Sequence, residues 1–337
     1  MEKHTNIPIF IPHLGCPNNC VFCNQRKISG TVCFDKENVR GDIDAFLETA
    51  AAKKGELQLA YFGGSFTAID RGDMLYLLRL GYEYVKAGKI ASIRCSTRPD
   101  AIDAEILSIL REYGVGSIEL GIQSLSDRVL DASGRGHDAE TSLEACRLIK
   151  EFGCFELVGQ MMVALPASTP EDEVMTARLI CDAGADGARI YPTMVFAKTE
   201  LDAMRLRGEY TPPPLDELVE RSADVFSVFA SRGVNVIRIG LMEGETLHDP
   251  DGISAGAYHP AMGELVLSRY YLGLMKKELD ILPRGGNITV YCAKGETSKV
   301  IGHGKRNKIK IQNEYNVKNI KVIEKDCIMM YNIKIMH

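Results

Sequence analysis

Short apolar runs alternate with amphipathic stretches along the first two thirds of the chain. The runs predict β-strands, and the stretches, whose apolar residues recur every three or four positions, predict α-helices. The predicted strands cover residues 7–14, 57–62, 91–96, 117–122, 155–165, 188–195 and 234–239. The predicted helices cover residues 35–54, 74–86, 104–113, 140–152, 171–183 and 215–232. At least six strands are therefore each followed by a helix.

Such alternation indicates βαβ units, a parallel sheet and right-handed crossovers. A doubly wound open sheet and a closed or partial barrel both satisfy it. Glycine and polar residues follow several of the strands, as in Gly63-Gly64-Ser65 and Gln123-Ser124. In either architecture the carboxyl ends of the parallel strands form the active face.

The pattern changes after residue 243, where a loop rich in proline and glycine precedes a helix at residues 264–279. A strand at residues 288–292, a turn, a basic helix and a strand at residues 320–324 come next. We therefore predict two domains, a larger one at residues 1–245 and a small α+β appendage at residues 246–337.

Charge distinguishes the appendage from the rest of the chain. Residues 298–337 contain nine Lys and Arg and three Asp and Glu, which gives this segment a net charge of +6. The whole chain has a net charge of −5, so the other 297 residues carry −11. A basic segment on an acidic protein indicates a surface that binds anions, with nucleic acid as a candidate. A solvated charged face that binds nothing is the alternative.

Composition places the 337-residue chain among ordinary globular proteins, because 45% of its residues are hydrophobic and 25% are charged. Wholesale disorder and fibrous structure are excluded. No stretch approaches the roughly 20 apolar residues that span a bilayer, and no apolar signal-peptide core follows the N-terminus. We therefore expect a cytoplasmic protein without a membrane partner.

The strongest chemical signal is the triplet Cys16-Pro-Asn-Asn-Cys20-Val-Phe-Cys23, which directly follows the first predicted strand. Thiolates packed this closely in a reducing compartment indicate a soft metal. Structural zinc needs four protein ligands, and Cys33 or His13 could supply the fourth. Three cysteines also suit a cubane iron–sulfur cluster that leaves one iron open, whereas ordinary electron-transfer clusters use four.

This C-x3-C-x2-C motif, with Phe22 before the last cysteine, resembles that of the radical S-adenosylmethionine (SAM) superfamily. The resemblance implies a partial (β/α)6 TIM-like barrel and a [4Fe–4S] cluster on Cys16, Cys20 and Cys23. It also implies that the open iron binds SAM, which the cluster cleaves to a 5′-deoxyadenosyl radical. An electron donor such as flavodoxin or ferredoxin is then required.

The segment Tyr61-Phe62-Gly63-Gly64-Ser65 resembles the superfamily's glycine-rich turn, which binds the methionine amino group, although Ser65 replaces the usual acidic residue. The side chains that would contact SAM follow the next strands. These candidates are Ser96, Arg98, Gln123, Ser124 and Met162. Each also has an ordinary structural interpretation, such as strand-end capping or, for the methionine, a place in the core.

Several further segments resemble the radical domain of the elongator catalytic subunit, which modifies the wobble uridine of tRNA. They are residues 97–100, 119–124, 134–137, 160–162, 165–166 and 189–193, in the same order. The chain has a narrower first cysteine spacing and too few residues after the barrel for that family's acetyltransferase domain. We therefore expect a transferase-like enzyme that modifies a base of tRNA or rRNA, with its catalytic residues unassigned.

Two alternatives stay open at this stage. The same radical chemistry could act on a protein or a small metabolite, or the chain could be a zinc-stabilised RNA-binding protein without activity. In the appendage, the strand, glycine turn and basic helix faintly resemble the RNA-binding turn of KH modules, with Lys305 where those modules have a second glycine.

Overall fold

The computed structural model describes residues 5–336 except for residues 13, 18, 30–33, 51–55, 242–243 and 245–246. The two candidate fourth zinc ligands, His13 and Cys33, lie outside the described residues, as does residue 245 at the predicted domain boundary.

Twelve strands and twelve α-helices occur in the described residues. The strands are β1 Thr5–Phe10, β2 Leu57–Phe62, β3 Ser92–Thr97, β4 Val115–Gln123, β5 Glu156–Val163, β6 Gly187–Pro192, β7 Val195–Phe196, β8 Asn235–Ile239, β9 Ile253–Ala255, β10 Asn287–Cys292, β11 Asn319–Glu324 and β12 Ile333–Met336. The helices are α1 Gln25–Ser29, α2 Val39–Ala50, α3 Arg71–Lys86, α4 Ala104–Glu112, α5 Asp127–Ala132, α6 Ala139–Phe152, α7 Pro170–Asp182, α8 Glu200–Leu206, α9 Leu215–Ser231, α10 Met262–Leu279, α11 Thr297–Ile301 and α12 Arg306–Tyr315.

The main sheet has seven parallel strands in the order β1-β2-β3-β4-β5-β6-β8. Because this order follows the chain without a reversal, successive right-handed crossovers put the helices on one face and leave the other face as the inside of a partial barrel. The predicted α/β class and barrel type are confirmed. The predicted strand at residues 234–239 is β8, which pairs with β6. The sheet therefore has one strand more than the (β/α)6 barrel that the resemblance implied.

Alternation along the strands of the main sheet separates residues of the apolar core from residues that line the inside of the barrel. In β3 the side chains of Ile93 and Cys95 are buried in the apolar core, whereas Arg94 and Ser96 occupy the alternate positions. In β5, Met161 is completely buried in the core and its neighbour Met162 is not. The period of two in these strands therefore decides which residues face the inside of the barrel.

The outer helices begin at residues whose side chains cap the first turn. Asp70, Asp103 and Asp138 each accept a hydrogen bond from the backbone N–H three residues later, at the start of α3, α4 and α6. Helix α7 begins with a capping box between Thr169 and Asp172. These local signals explain why the helix starts agree with the prediction to within a few residues.

A second, three-stranded sheet in the order β11-β10-β12 forms the C-terminal part of the chain. It packs with α10, α11 and α12 around an apolar cluster that includes Tyr271, Met275 and Val290. The first turns of α10 belong to the main core through Met262 and Val266. Helix α10 therefore contacts both cores, and the boundary near residue 245 stays a prediction.

Several elements of the structure were absent from the sequence prediction, among them α5, α8 and β12. The short helices α5 and α8 have too few turns for a helical period to emerge, and β12 lies in a tail with weak alternation. Among the helices of the described residues, none has the length and apolarity to cross a membrane.

Candidate active site

A cavity of about 920 Å³ occupies the inside of the partial barrel. Its wall is made of residues that alternate along the strands, such as Gln160 and Met162 in β5 and Arg189 and Tyr191 in β6. Cys16, Cys20 and Cys23 line the same cavity from the loop between β1 and α1. The structure thus brings the cysteine triplet and the inner face of the sheet into one site.

Backbone contacts fix the cysteine loop to three other parts of the protein. The Val21 N–H donates to the carbonyl of Ser133 at 3.1 Å, and the Val21 carbonyl accepts from the Leu201 N–H at 2.8 Å. At the start of α1, the side-chain oxygen of Gln25 accepts a hydrogen bond from the Gly64 N–H at 2.6 Å. The loop is therefore held from both sides of the cavity.

Arginine side chains favour the negative form of the cysteines. Arg135 donates from Nη1 to the Cys20 Sγ at 3.1 Å and from Nη2 to the Gly121 carbonyl at 2.5 Å. Burial and the neighbouring thiols raise the pKa of Cys23 to about 12. Burial also raises the pKa of Cys16, whereas the positive charges of Arg98 and Arg135 lower it. A bound metal would remove the thiol protons outright, so the site is suited to an anionic thiolate cluster.

The number of cysteines at the cavity bears on the choice of metal. A cubane cluster with one open iron needs three protein thiols, whereas structural zinc needs four protein ligands. Cys16, Cys20 and Cys23 line the cavity, and the candidate fourth zinc ligands His13 and Cys33 lie outside the described residues.

The glycine turn after β2 packs backbone to backbone against the cysteine loop. Gly63 and Gly64 have φ values of +81° and +48°, and both line the cavity. A Cβ on Gly64 would lie 2.1 Å from the Leu14 carbonyl oxygen, and a Cβ on Gly15 would lie 2.2 Å from the Ser65 carbonyl oxygen. Neither loop can accept a side chain at the contact, so glycine allows the two backbones to pack directly against each other beside the cavity.

Of the other predicted SAM contacts, Ser96, Arg98, Gln123 and Met162 line the cavity. Gln123 ends β4 with a φ of +65°, and its buried Oε1 has no hydrogen-bond partner in the described structure. This strained, unsatisfied side chain is the kind of group that a polar ligand completes. Arg98 binds both carboxylate oxygens of Asp100, at 2.9 and 2.8 Å, and donates to the Arg135 carbonyl, while its buried Nη1 is unsatisfied.

Ser65 and Ser124 have structural contacts instead of a place in the cavity wall. Ser65 is fully buried, lies 2.9 Å from the Thr97 hydroxyl and accepts a hydrogen bond from the Arg98 N–H. Ser124 is buried and accepts a hydrogen bond from the Ser126 N–H at 3.2 Å. Neither is among the described lining residues. Ser65 joins the end of β2 to the end of β3, whereas Ser124 stabilises the turn that follows β4.

A buried ionic network forms the deeper wall of the cavity. Glu119 accepts hydrogen bonds from Arg94 at 3.1 Å, Arg189 at 2.7 Å and Gln160 at 2.7 Å, and Arg94 also binds Glu156 at 2.7 Å. Arg94 and Glu119 are completely buried. Sequence reasoning missed this network and the role of Arg135, although charged residues inside apolar strands are a visible signal of it.

Comparison with known proteins identifies the family. The model of the radical SAM superfamily matches residues 10–180, and the model of the Radical_SAM C-terminal domain matches residues 185–271. The chain belongs to the radical SAM superfamily. It is therefore an enzyme whose cofactors are a [4Fe–4S] cluster and SAM, and the cavity has the thiols, the glycine cradle and the unsatisfied polar atoms that suit them.

Its relatives include enzymes named for tRNA. The chain is 28% identical over 258 residues to a tRNA uridine(34) acetyltransferase of Dehalococcoides mccartyi, covering 66% of this chain and 55% of the relative. It is 28% identical over 253 residues to human Elongator complex protein 3, covering 62% and 46%. The chain thus spans about half the length of these relatives.

Among solved structures, an N-terminally shortened Elp3 from the archaeon Methanocaldococcus infernus has a similar fold. The TM-score is 0.63 at 23% identity, covering 81% of this chain and 63% of the other. This similarity confirms the partial barrel that the sequence predicted.

Proposed function

We propose that this radical SAM enzyme modifies a base of tRNA or rRNA. The observation that carries the proposal is the similarity to tRNA uridine(34) acetyltransferase, which extends over the barrel rather than over the cysteine motif alone. Acetyl transfer itself is not part of the proposal, because the match covers only about half of that relative.

Each part of the cavity has a role in this proposal. Cys16, Cys20 and Cys23 hold three irons, and Gly63 and Gly64 accept the methionine part of SAM against their backbone. Ser96, Gln123 and Met162 contact the rest of SAM, and Arg98 and Arg135 balance the negative charge of the thiolates. When bound, the two cofactors supply a radical that abstracts hydrogen. An electron donor such as flavodoxin or ferredoxin would reduce the cluster.

A single-stranded base is the form of RNA that can enter such a cavity. The site lies inside the barrel, where a base stacked in a helix cannot reach. Enzymes that act on a base therefore take it from a loop or turn it out of the stack. This argues for a target in a loop of the RNA.

The turn between α11 and α12 is a candidate anchor for the RNA backbone. Gly302, Gly304 and Lys305 all have positive φ values, of 82°, 59° and 64°, so Lys305 adopts the conformation that glycine prefers. The side chain of buried Asn307 fixes the turn by donating to the Ser268 carbonyl of α10 at 2.7 Å. A rigid turn can thus present backbone N–H groups at the start of a ten-residue helix.

The cations of this turn are available for a partner. Lys305 and Arg306 are exposed and Lys308 is half-buried. In the described structure none of the three forms a salt bridge, whereas Lys310 lies 3.9 Å from Glu314. Free cations on a rigid turn suit phosphate groups of RNA.

Changing Lys305, Arg306 and Lys308 together to Glu is expected to weaken RNA binding at least tenfold, because phosphate contacts supply most of the salt-dependent affinity. Electrophoretic mobility shift of tRNA at several salt concentrations measures the loss. A matched control changes Arg79, Lys86 and Lys89, which are exposed on α3 and in the following turn, to Glu with the same change in net charge. Equal affinities for the two triple variants would show that this turn is not the anchor.

Comparative mass spectrometry of tRNA and rRNA nucleosides tests the proposed function. We expect one modified nucleoside to be missing in a deletion strain, restored by the wild-type gene and not by the Cys20→Ala variant. If all nucleosides are unchanged while the purified enzyme still cleaves SAM, the substrate is a protein or a small metabolite instead.

A further inference from the structure

The last two strands of the main sheet place two arginines side by side. In the register of β6 with β8, Arg189 pairs with Arg238, and both line the cavity. Cross-strand neighbours on one face lie close together, and like charges at such positions destabilise a sheet. Such a pair is therefore expected where a negatively charged group neutralises the two guanidinium groups.

The protein itself supplies only part of that balance. Arg189 donates to Glu119, but the same carboxylate also receives Arg94 and Gln160. In the described structure Arg238 has no salt bridge and no hydrogen bond from its side chain. Among the described residues that line the cavity, Glu119 is the one acidic side chain. The buried Nε of Arg189 also has no hydrogen-bond partner there.

The arginines of the cavity fall into two pairs. Arg98 and Arg135 belong to the thiol end, where Arg135 contacts Cys20 and Arg98 acts on Cys16. Arg189 and Arg238 lie on the strands farthest along the sheet from β1, which precedes the cysteine loop. The negative charge of the cluster accounts for the first pair. In the second pair Arg189 shares the Glu119 carboxylate with Arg94, and Arg238 has no anionic partner among the described residues.

We infer that Arg189 and Arg238 form a subsite for an oxyanion, a phosphate or a carboxylate, carried by the substrate. Guanidinium groups present paired N–H donors that match either oxyanion in a bidentate manner. The side chain of Asn235, which begins β8, lies in the same cavity and could donate or accept a further hydrogen bond. This inference refines the proposed function, since a nucleotide carries the phosphate, but the subsite does not require RNA.

Binding of small probes to the holoenzyme, with its cluster reconstituted and SAM present, tests the subsite. Isothermal titration calorimetry at constant ionic strength would compare uridine, uridine 5′-monophosphate and malonate. We expect at least one anionic probe to bind more tightly than uridine. Arg238→Gln should weaken binding of that probe about tenfold or more and leave the binding of uridine unchanged, because the variant removes the charged hydrogen bonds to the anion.

Two variants separate a binding role from a structural one. Arg238→Lys keeps the charge and should retain part of the affinity, whereas Arg232→Gln, at an exposed residue paired with Asp182, should change nothing. Without a ligand, Arg238→Gln should melt at the same temperature as the wild type or higher, because it removes a repulsion. A lower melting temperature, or equal binding of anionic probes by wild type and Arg238→Gln, would overturn the subsite.

The probes also separate this inference from the proposed function. Selective binding of uridine 5′-monophosphate supports a nucleotide substrate, and selective binding of malonate supports a carboxylate-bearing metabolite. If RNA nucleosides are unchanged in the deletion strain while malonate binding still depends on Arg238, the RNA proposal fails and the subsite stands. If no anionic probe binds better than uridine, the subsite fails whatever the RNA analysis gives.

Discussion

Replacing Cys16, Cys20 or Cys23 singly by alanine is expected to abolish cluster binding and SAM cleavage. A cluster with one open iron has only three protein ligands, and no fourth cysteine is among the described residues that line the cavity, so the loss of one thiol has no substitute there. Iron and sulfide analysis after anaerobic purification should fall from about four of each per chain to a small fraction. SAM cleavage, measured as 5′-deoxyadenosine, should become undetectable.

The control for these variants is another cysteine of the same chain. Cys154 is exposed and lies outside the cavity wall, so Cys154→Ala should keep both the cluster and the cleavage activity. Cys33→Ala should also keep them. Loss of the metal from Cys33→Ala, with zinc rather than iron in the wild type, would instead favour the four-ligand zinc site.

The fold was accessible from the sequence because its signals are local. The prediction for residues 57–62 coincides with β2, and that for residues 104–113 differs from α4 by one residue. An apolar run and an aspartate at the N-cap each act over a few residues. Strand pairing is not local, so the alternation of strands and helices was compatible with both a doubly wound open sheet and a partial barrel. The strand order of the structure shows that it is a partial barrel.

The site was only partly accessible for the same reason. The cysteine spacing and the double glycine are contiguous motifs, and the structure brings both to one cavity. Arg135 and Cys20 are in contact although 115 positions of sequence separate them. Arg189 and Arg238 are neighbours on paired strands, although β7, α8, α9 and their loops lie between these strands in the sequence. Such contacts follow from pairing and packing, which no pattern within a short window encodes. The roles of Ser65 and Ser124 were uncertain because strand-end serines cap backbones as readily as they bind ligands.

Gly64→Ala is expected to lower SAM affinity at least tenfold and to reduce cluster content. The glycine turn and the cysteine loop touch through their backbones, because the Ser65 N–H donates to the Leu14 carbonyl at 3.0 Å. The added Cβ would lie 2.1 Å from that same carbonyl oxygen and 2.9 Å from the Ile11 carbonyl oxygen. Backbone cannot yield as a flexible side chain can, so the loop that carries Cys16 must move.

A glycine elsewhere in the chain isolates this steric effect from backbone strain. Gly88, in the turn after α3, has a φ of +67° and nothing within 4 Å of its would-be Cβ. Gly88→Ala therefore introduces a comparable left-handed residue, costing about 1–2 kcal/mol of stability, without any clash. Calorimetric titration with SAM should find Gly88→Ala unchanged from the wild type and Gly64→Ala strongly weakened. If both variants bind SAM with wild-type affinity, the turn does not form part of the SAM site. If both lose affinity to the same degree, the cause is the general loss of stability, because only Gly64 contacts the cysteine loop.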